Sequence, residues 1–214
     1  MSGSLTDATY NYFLKPDSTF LEVVSGDCSL SLEIAKHVKK VYAVDVCNEI
    51  TKNSTPPENF ELIISDGQSI PVPENSVNII YSHQLMEHLH PDDANDQLQN
   101  IYKVLTPGSI YICITPNRLS GPHDVSKHFD EVSTGFHLKK YTVTELYQLF
   151  RASEFSKISL YKSFKQTYLE FPLIPVTVFI IKKCEEILSK LPFSLRRITS
   201  TLMLFRGITI VGTE

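Results

Sequence analysis

The sequence predicts an α/β fold built on a largely parallel sheet, and three observations carry that expectation. Short β-branched runs alternate with helical patterns through the first 163 residues. Acidic residues stand at or just beyond the ends of the first three runs: Glu22, Asp45 and Asp66. The chain's 214 residues, 42% of them hydrophobic, are enough for one domain with a substantial core and too few for two large ones.

The elements follow in order. TFLEVV (19–24) reads as the first strand, and a helix follows from about Leu30, with Leu32, Ile34, Ala35 and Val38 as its apolar positions. VYAVDV (41–46) and FELIIS (60–65) are the second and third strands, and PVPENS is loop because its prolines remove backbone donors. VNIIYS (77–82) is the fourth strand. The long helix after it has Asp92 and Asp93 behind Pro91 at its start and Leu98, Ile101, Tyr102 and Leu105 facing inward. TPGS ends that helix and SIYICIT forms the fifth strand. Residues 117–141 make a polar loop, longer than compact folds usually carry without a purpose. Thr142 or Thr144 caps TVTELYQLFRASEF, and KISLYK is the sixth strand. Residues 175–190 then read as an amphipathic helix with Val176, Phe179, Ile180, Cys184, Ile187 and Leu188 on a broad apolar face. SLRRITSTLML is a second helix, and GITIVG a final strand.

Composition excludes several classes. The net charge of −4 gives no general attraction to nucleic acid. The charge is divided unevenly: residues 1–150 hold 19 acidic against 10 basic side chains, and residues 151–214 hold 5 against 10. Four separated cysteines without a C-x-x-C pair suggest neither a disulfide framework nor a zinc site. The N-terminus lacks an apolar signal core, and the run FPLIPVTVFII is too short to span a bilayer. A reducing, cytoplasmic setting is the expectation.

The three acids belong to one crevice, because open α/β sheets bind ligands beyond the carboxyl ends of their strands. Three carboxylates there suit a ligand rich in donors or carrying positive charge. In this order and spacing, EVVSGDC, VYAVDV, SDGQSIPVPENSVNIIYS, HQLMEHLHP and VLTPGSIYICITPN resemble the motifs of class I S-adenosylmethionine-dependent methyltransferases, of the type 11-like kind. The resemblance covers roughly residues 16–163. It implies a Rossmann-like sheet of seven strands with helices on both faces and the last strand antiparallel, and it leaves 165–205 as a helical insert or lid within a single domain. It further implies that Glu22, Ser25 and Gly26 lie near the methionine part of the cofactor, and that Asp45, with Val46 beside it, accepts the ribose hydroxyls. Asp66 and Gly67 would then meet the adenine, and His83 the sulfonium end or the acceptor. The product would be S-adenosylhomocysteine.

One departure stands out. The resemblance places glycines at 24, 26 and 28, where this chain has Val24, Gly26 and Cys28. Either Val24 keeps ordinary strand angles and the turn moves by a residue, or cofactor contact is weakened, since a β-branched residue is costly in the left-handed region. That departure motivates an alternative: a methyltransferase-fold protein without catalysis, acting as a binding or regulatory module. A dehydrogenase is less favoured, because the loop lacks the glycines that let a pyrophosphate approach.

Histidines supply the candidates for proton transfer, their pKa lying near working pH. His83, His128 and His137 are named for that role. MEHLH offers Glu87, His88 and His90 as metal ligands, but no metal is expected, because positions 88 and 90 point in opposite directions on a helix. The expected activity is methyl transfer to a small-molecule or carbohydrate-type acceptor. The basic C-terminal segment would permit peripheral lipid contact, and its apolar helix a homodimer.

Overall fold

The computed structural model describes residues 9–47, 56–121, 137–164, 167–202 and 207–214. Eight strands form one sheet in the order β3-β2-β1-β4-β5-β8-β6-β7. They are β1 (Thr19–Val23), β2 (Lys40–Asp45), β3 (Phe60–Ile64), β4 (Val77–His83), β5 (Leu105–Pro116), β6 (Lys157–Phe164), β7 (Thr167–Pro172) and β8 (Gly207–Thr213). Strands β1 to β5 pair in parallel, and β8 runs antiparallel to both β5 and β6.

The sequence led us to expect seven strands. The eighth is β7, an edge strand at the start of the supposed helical insert, paired among the described strands with β6 alone, in antiparallel. Leu169 and Phe171 are both substantially exposed on it. A strand with one neighbour and little burial leaves a weak hydrophobic pattern to read.

Alternation along the strands feeds two cores. On one face, Phe20, Val41, Ala43, Ile79 and Tyr81 meet α1 (Ser29–Ile34) and Tyr10 of the Thr9–Tyr12 turn. On the other, Leu21, Val23, Ile80 and Tyr111 meet α2 (Pro91–Val104) and α3 (Val143–Ala152). Tyr111 stacks on Phe150 at 5.4 Å between ring centroids, with Phe155 beside them. Gly212 of β8 makes room for both phenylalanines, since a Cβ there would come within 2.7 Å of each ring.

Helix boundaries follow local chemistry. Pro91 opens α2, and Leu105, expected inside that helix, already belongs to β5. Thr142 caps α3 in a reciprocal box: its Oγ1 accepts from the Glu145 N–H, and Glu145 Oε2 accepts from the Thr142 N–H. The last helices are α4 (Pro175–Ser189) and α5 (Phe193–Leu202). The broad apolar face expected on α4 is divided. Leu188 is buried, whereas Val176, Phe179, Ile180 and Ile187 are exposed. No helix among the described residues is long and apolar enough to cross a membrane.

Candidate active site

Strand order reverses between β1 and β4, so the chain leaves these neighbours in opposite directions and opens a crevice past their carboxyl ends. The loop after β1 enters that crevice. The Val24 and Ser25 N–H groups donate to the Val44 carbonyl at 2.8 and 3.3 Å, which anchors the loop to β2. Beyond that anchor the backbone takes left-handed angles at alternate residues: φ is 58° at Val24, 54° at Gly26 and 56° at Cys28. The turn therefore does not move by a residue. Val24 adopts the angle that a glycine would adopt without strain, and so does Cys28 at the start of α1.

Tertiary contacts hold those angles. Asp45 Oδ2 accepts from the Gly26 N–H at 2.9 Å, while Oδ1 accepts from the Val46 and Cys47 N–H groups at 2.7 and 3.2 Å. The buried carboxylate of Asp45 thus ties the β1 loop to the β2 loop. Ser25 Oγ lies 3.3 Å from Cys28 Sγ across the turn, and both side chains are buried. Nothing approaches within 4 Å of where a Gly26 Cβ would stand, so the backbone is open on that side.

Glu22 sits in β1 between Ala43 of β2 and Tyr81 of β4. It is 7% exposed, and its Oε2 accepts from Ser31 Oγ at 2.5 Å. Desolvation lifts its pKa to about 7 against the lowering effect of the Ser31 bonds, and Asp27 and Asp45 add a smaller upward push. No basic side chain pairs with it among the described residues. Tyr10 and Tyr81 flank this carboxyl, their hydroxyl pKa values raised first by burial and then by Glu22 itself. The sequence reading missed both tyrosines. Tyr81 carried a signal in the period-two alternation of β4, but Tyr10 lies in a segment with no pattern of its own.

Asp66 stands apart from the other two acids. It is exposed, and its Oδ1 accepts from the Gln68 and Ser69 N–H groups at 2.9 and 2.7 Å. These bonds, with one from Ser69 Oγ, draw its pKa down to about 2. In this structure Asp66 organises the β3 loop. Gly67 follows at φ 90°, and Val46 Cγ1 lies 3.5 Å from where its Cβ would be. Val46 is itself 60% exposed, which leaves an apolar surface at the crevice edge.

His83 ends β4 and lies 6.5 Å from the Tyr81 ring. Partial desolvation lowers its pKa, with Glu87 pulling weakly the other way. His137 is elsewhere. The Leu138 and Lys139 N–H groups donate to the Glu87 carbonyl at 2.7 and 3.2 Å, and the His137 ring sits 4.9 Å from that of His88. His128 lies outside the described residues. Glu22, Ser25, Gly26 and Asp45 therefore gather around one loop, Val46, Asp66 and Gly67 line its β2–β3 side, and His83 stands across at β4.

Part of the chain is similar in sequence to known proteins, and its fold is similar to solved structures. Residues 21–113 match the family model described as "Methyltransferase domain". An 86-residue stretch is 29% identical to a probable S-adenosylmethionine-dependent methyltransferase of Mycolicibacterium smegmatis, covering 40% of this chain and 31% of that protein. The chain thus matches about a third of that relative's length. Among solved structures, the complex of the Haloferax volcanii Trm112 methyltransferase activator with a putative methyltransferase aligns at TM-score 0.65, with 14% identity over 94% of this chain and 84% of the other. The Burkholderia thailandensis 1,6-didemethyltoxoflavin-N1-methyltransferase, solved with that compound and S-adenosylhomocysteine, aligns at 0.59, with 13% identity over 98% and 76%. At these identities the structures show the fold.

Proposed function

We propose that this chain, whose residues 21–113 match the methyltransferase-domain family model, is an S-adenosylmethionine-dependent methyltransferase that transfers the methyl group to a small-molecule or carbohydrate-type acceptor. One observation carries this reading: a buried carboxyl, Glu22, without a basic partner among the described residues, beside a left-handed loop at the sheet's switch point. An ammonium-bearing ligand suits that site, because an arriving cation would stabilise the ionised carboxylate that burial disfavours.

Bound there, the cofactor supplies an activated methyl group on a sulfonium. The chain's own residues bind and orient. Glu22 and the open backbone at Gly26 receive the amino-acid portion. Asp45 Oδ1 already accepts from Val46 and Cys47, and Oδ2, which accepts from Gly26, keeps one further lone pair for a ribose hydroxyl. Val46 and Gly67 offer an apolar edge to a purine face, with Asp66 fixing the loop beneath it. Catalysis then rests chiefly on alignment. His83, at the end of β4, is the described histidine best placed to take a proton from a hydroxyl acceptor.

The substituted glycines do not favour the non-catalytic alternative, because the loop keeps left-handed angles at all three positions. A small acceptor also fits the Burkholderia neighbour, whose bound compound is a small molecule. Titration calorimetry with S-adenosylmethionine and S-adenosylhomocysteine tests the reading. Saturable binding of both is expected, and no binding of either at millimolar concentration would overturn it. An acceptor screen with radiolabelled methyl donor then identifies the substrate.

A further inference from the structure

We propose that Glu87, His88 and His137 form a divalent-metal site of the zinc type at the carboxyl edge of the sheet. On the sequence, Glu87 and His88 had only His90 as a nearby third ligand and no metal was expected; His137 lies some fifty positions further along the chain. The Met86–His88 turn directs Glu87 inward and leaves His88 exposed. The backbone bonds from Leu138 and Lys139 to the Glu87 carbonyl then fasten His137 against His88. One ligand atom from each of the three residues lies within 4.8 Å of the others.

Glu87 supplies a second, independent observation. Its side chain is wholly buried, Oε2 accepts from Thr115 Oγ1 at 2.8 Å, and Oε1 has no hydrogen-bond partner. A buried carboxylate oxygen left unmatched is uncommon and costly. A cation at the Glu87–His88–His137 cluster would satisfy it.

The donor set decides the ion. Two imidazoles and one carboxylate suit zinc and its borderline neighbours, whereas calcium and magnesium favour oxygen-only shells. Metal–ligand distances of about 2.0–2.2 Å require the three atoms to close in somewhat. That closing in would fall to the exposed His88 and the half-buried His137, since Glu87 is wholly buried. Thr115 would orient the carboxylate, as outer hydrogen bonds do in metal sites. Three protein ligands leave a position open, and this one lies where β4 and β5 end. An acceptor oxygen bound there would lose its proton more readily. That last role rests on the methyl-transfer reading, but the metal site does not.

The test uses the full chain stripped with chelator and titrated with Co(II), followed by its visible absorption, and with ZnCl2 by calorimetry. One equivalent should bind, with tetrahedral-type Co(II) absorption. Substituting His88→Ala or His137→Ala should weaken binding at least about tenfold, while calorimetric affinity for S-adenosylmethionine persists. Absence of one-equivalent binding overturns the site, as does undiminished affinity in folded His88→Ala, which would mark adventitious binding. Because His88 is exposed, that variant guards against misfolding from loss of the buried Glu87. Metal binding without cofactor binding would instead remove the methyl-transfer reading and leave the site standing.

Discussion

Glu22 makes a sharp prediction about proton linkage. Raising its carboxyl from 4.5 to about 7 corresponds to about 3 kcal/mol between the two protonation states. Below pH 4.5 both folded and unfolded chains hold the proton, and Glu22 exerts no pH-dependent penalty. Between 4.5 and about 7 the folded chain keeps a proton that the unfolded chain has released, so stability falls as pH rises. Above about 7 the loss is complete. Other groups titrate over the same range, so the difference between wild type and Glu22→Gln isolates this one. Glutamine keeps a carbonyl oxygen for Ser31 Oγ. Urea unfolding of both proteins from about pH 4 to pH 8 should show the Gln variant gaining about 3 kcal/mol on wild type across the window. A difference that is flat with pH would refute the assigned burial of Glu22. The same proton gives a second readout. If an ammonium displaces it, cofactor binding near pH 6 should release protons, seen as a buffer-dependent calorimetric enthalpy, and Glu22→Gln should abolish that dependence.

Three further outcomes are expected. Val24→Gly should stabilise the fold by about 0.5–1 kcal/mol, because relief of a left-handed cost of about 1–2 kcal/mol exceeds glycine's extra entropy of folding; a destabilised variant in urea would mean that Val24 does not hold that angle. Asp45→Ala should weaken S-adenosylmethionine binding by about 1–3 kcal/mol, since it removes both the diol acceptor and the tie to Gly26; calorimetry finding unchanged affinity in the folded variant would place the ribose elsewhere. Gly212→Ala should cost about 1–3 kcal/mol by crowding Phe150 and Phe155, read from the urea midpoint, and a neutral result would contradict the packing of β8 beneath α3.

Legibility in the sequence varied with range. Strands β1 to β5 were readable because local hydrophobic patterns report burial, and the start of α3 was narrowed to Thr142 or Thr144, of which Thr142 forms the cap with Glu145. Of the three acids read into one crevice, Glu22 and Asp45 stand near the carboxyl ends of β1 and β2, which adjacent parallel strands bring together. Asp66 follows β3 as read, and its oxygens hold its own loop, a use that an Asp in a turn makes equally well. The outward half of α4 misled because an apolar stripe shows that a face can be buried, without showing that anything covers it.

The sequence by itself determined the succession of strands β1 to β6 along the chain and the place of Glu22 and Asp45 near the ends of the first two, since these follow from patterns within a few residues. Only the tertiary structure decided the state of the crevice. Bonds from the loop to Val44 and Asp45 keep Val24 where a glycine would be at ease. Burial between two neighbouring strands sets the proton affinity of Glu22. A backbone clamp on Glu87 brings His137 to His88. Each depends on groups distant in sequence meeting away from water, which no local pattern records.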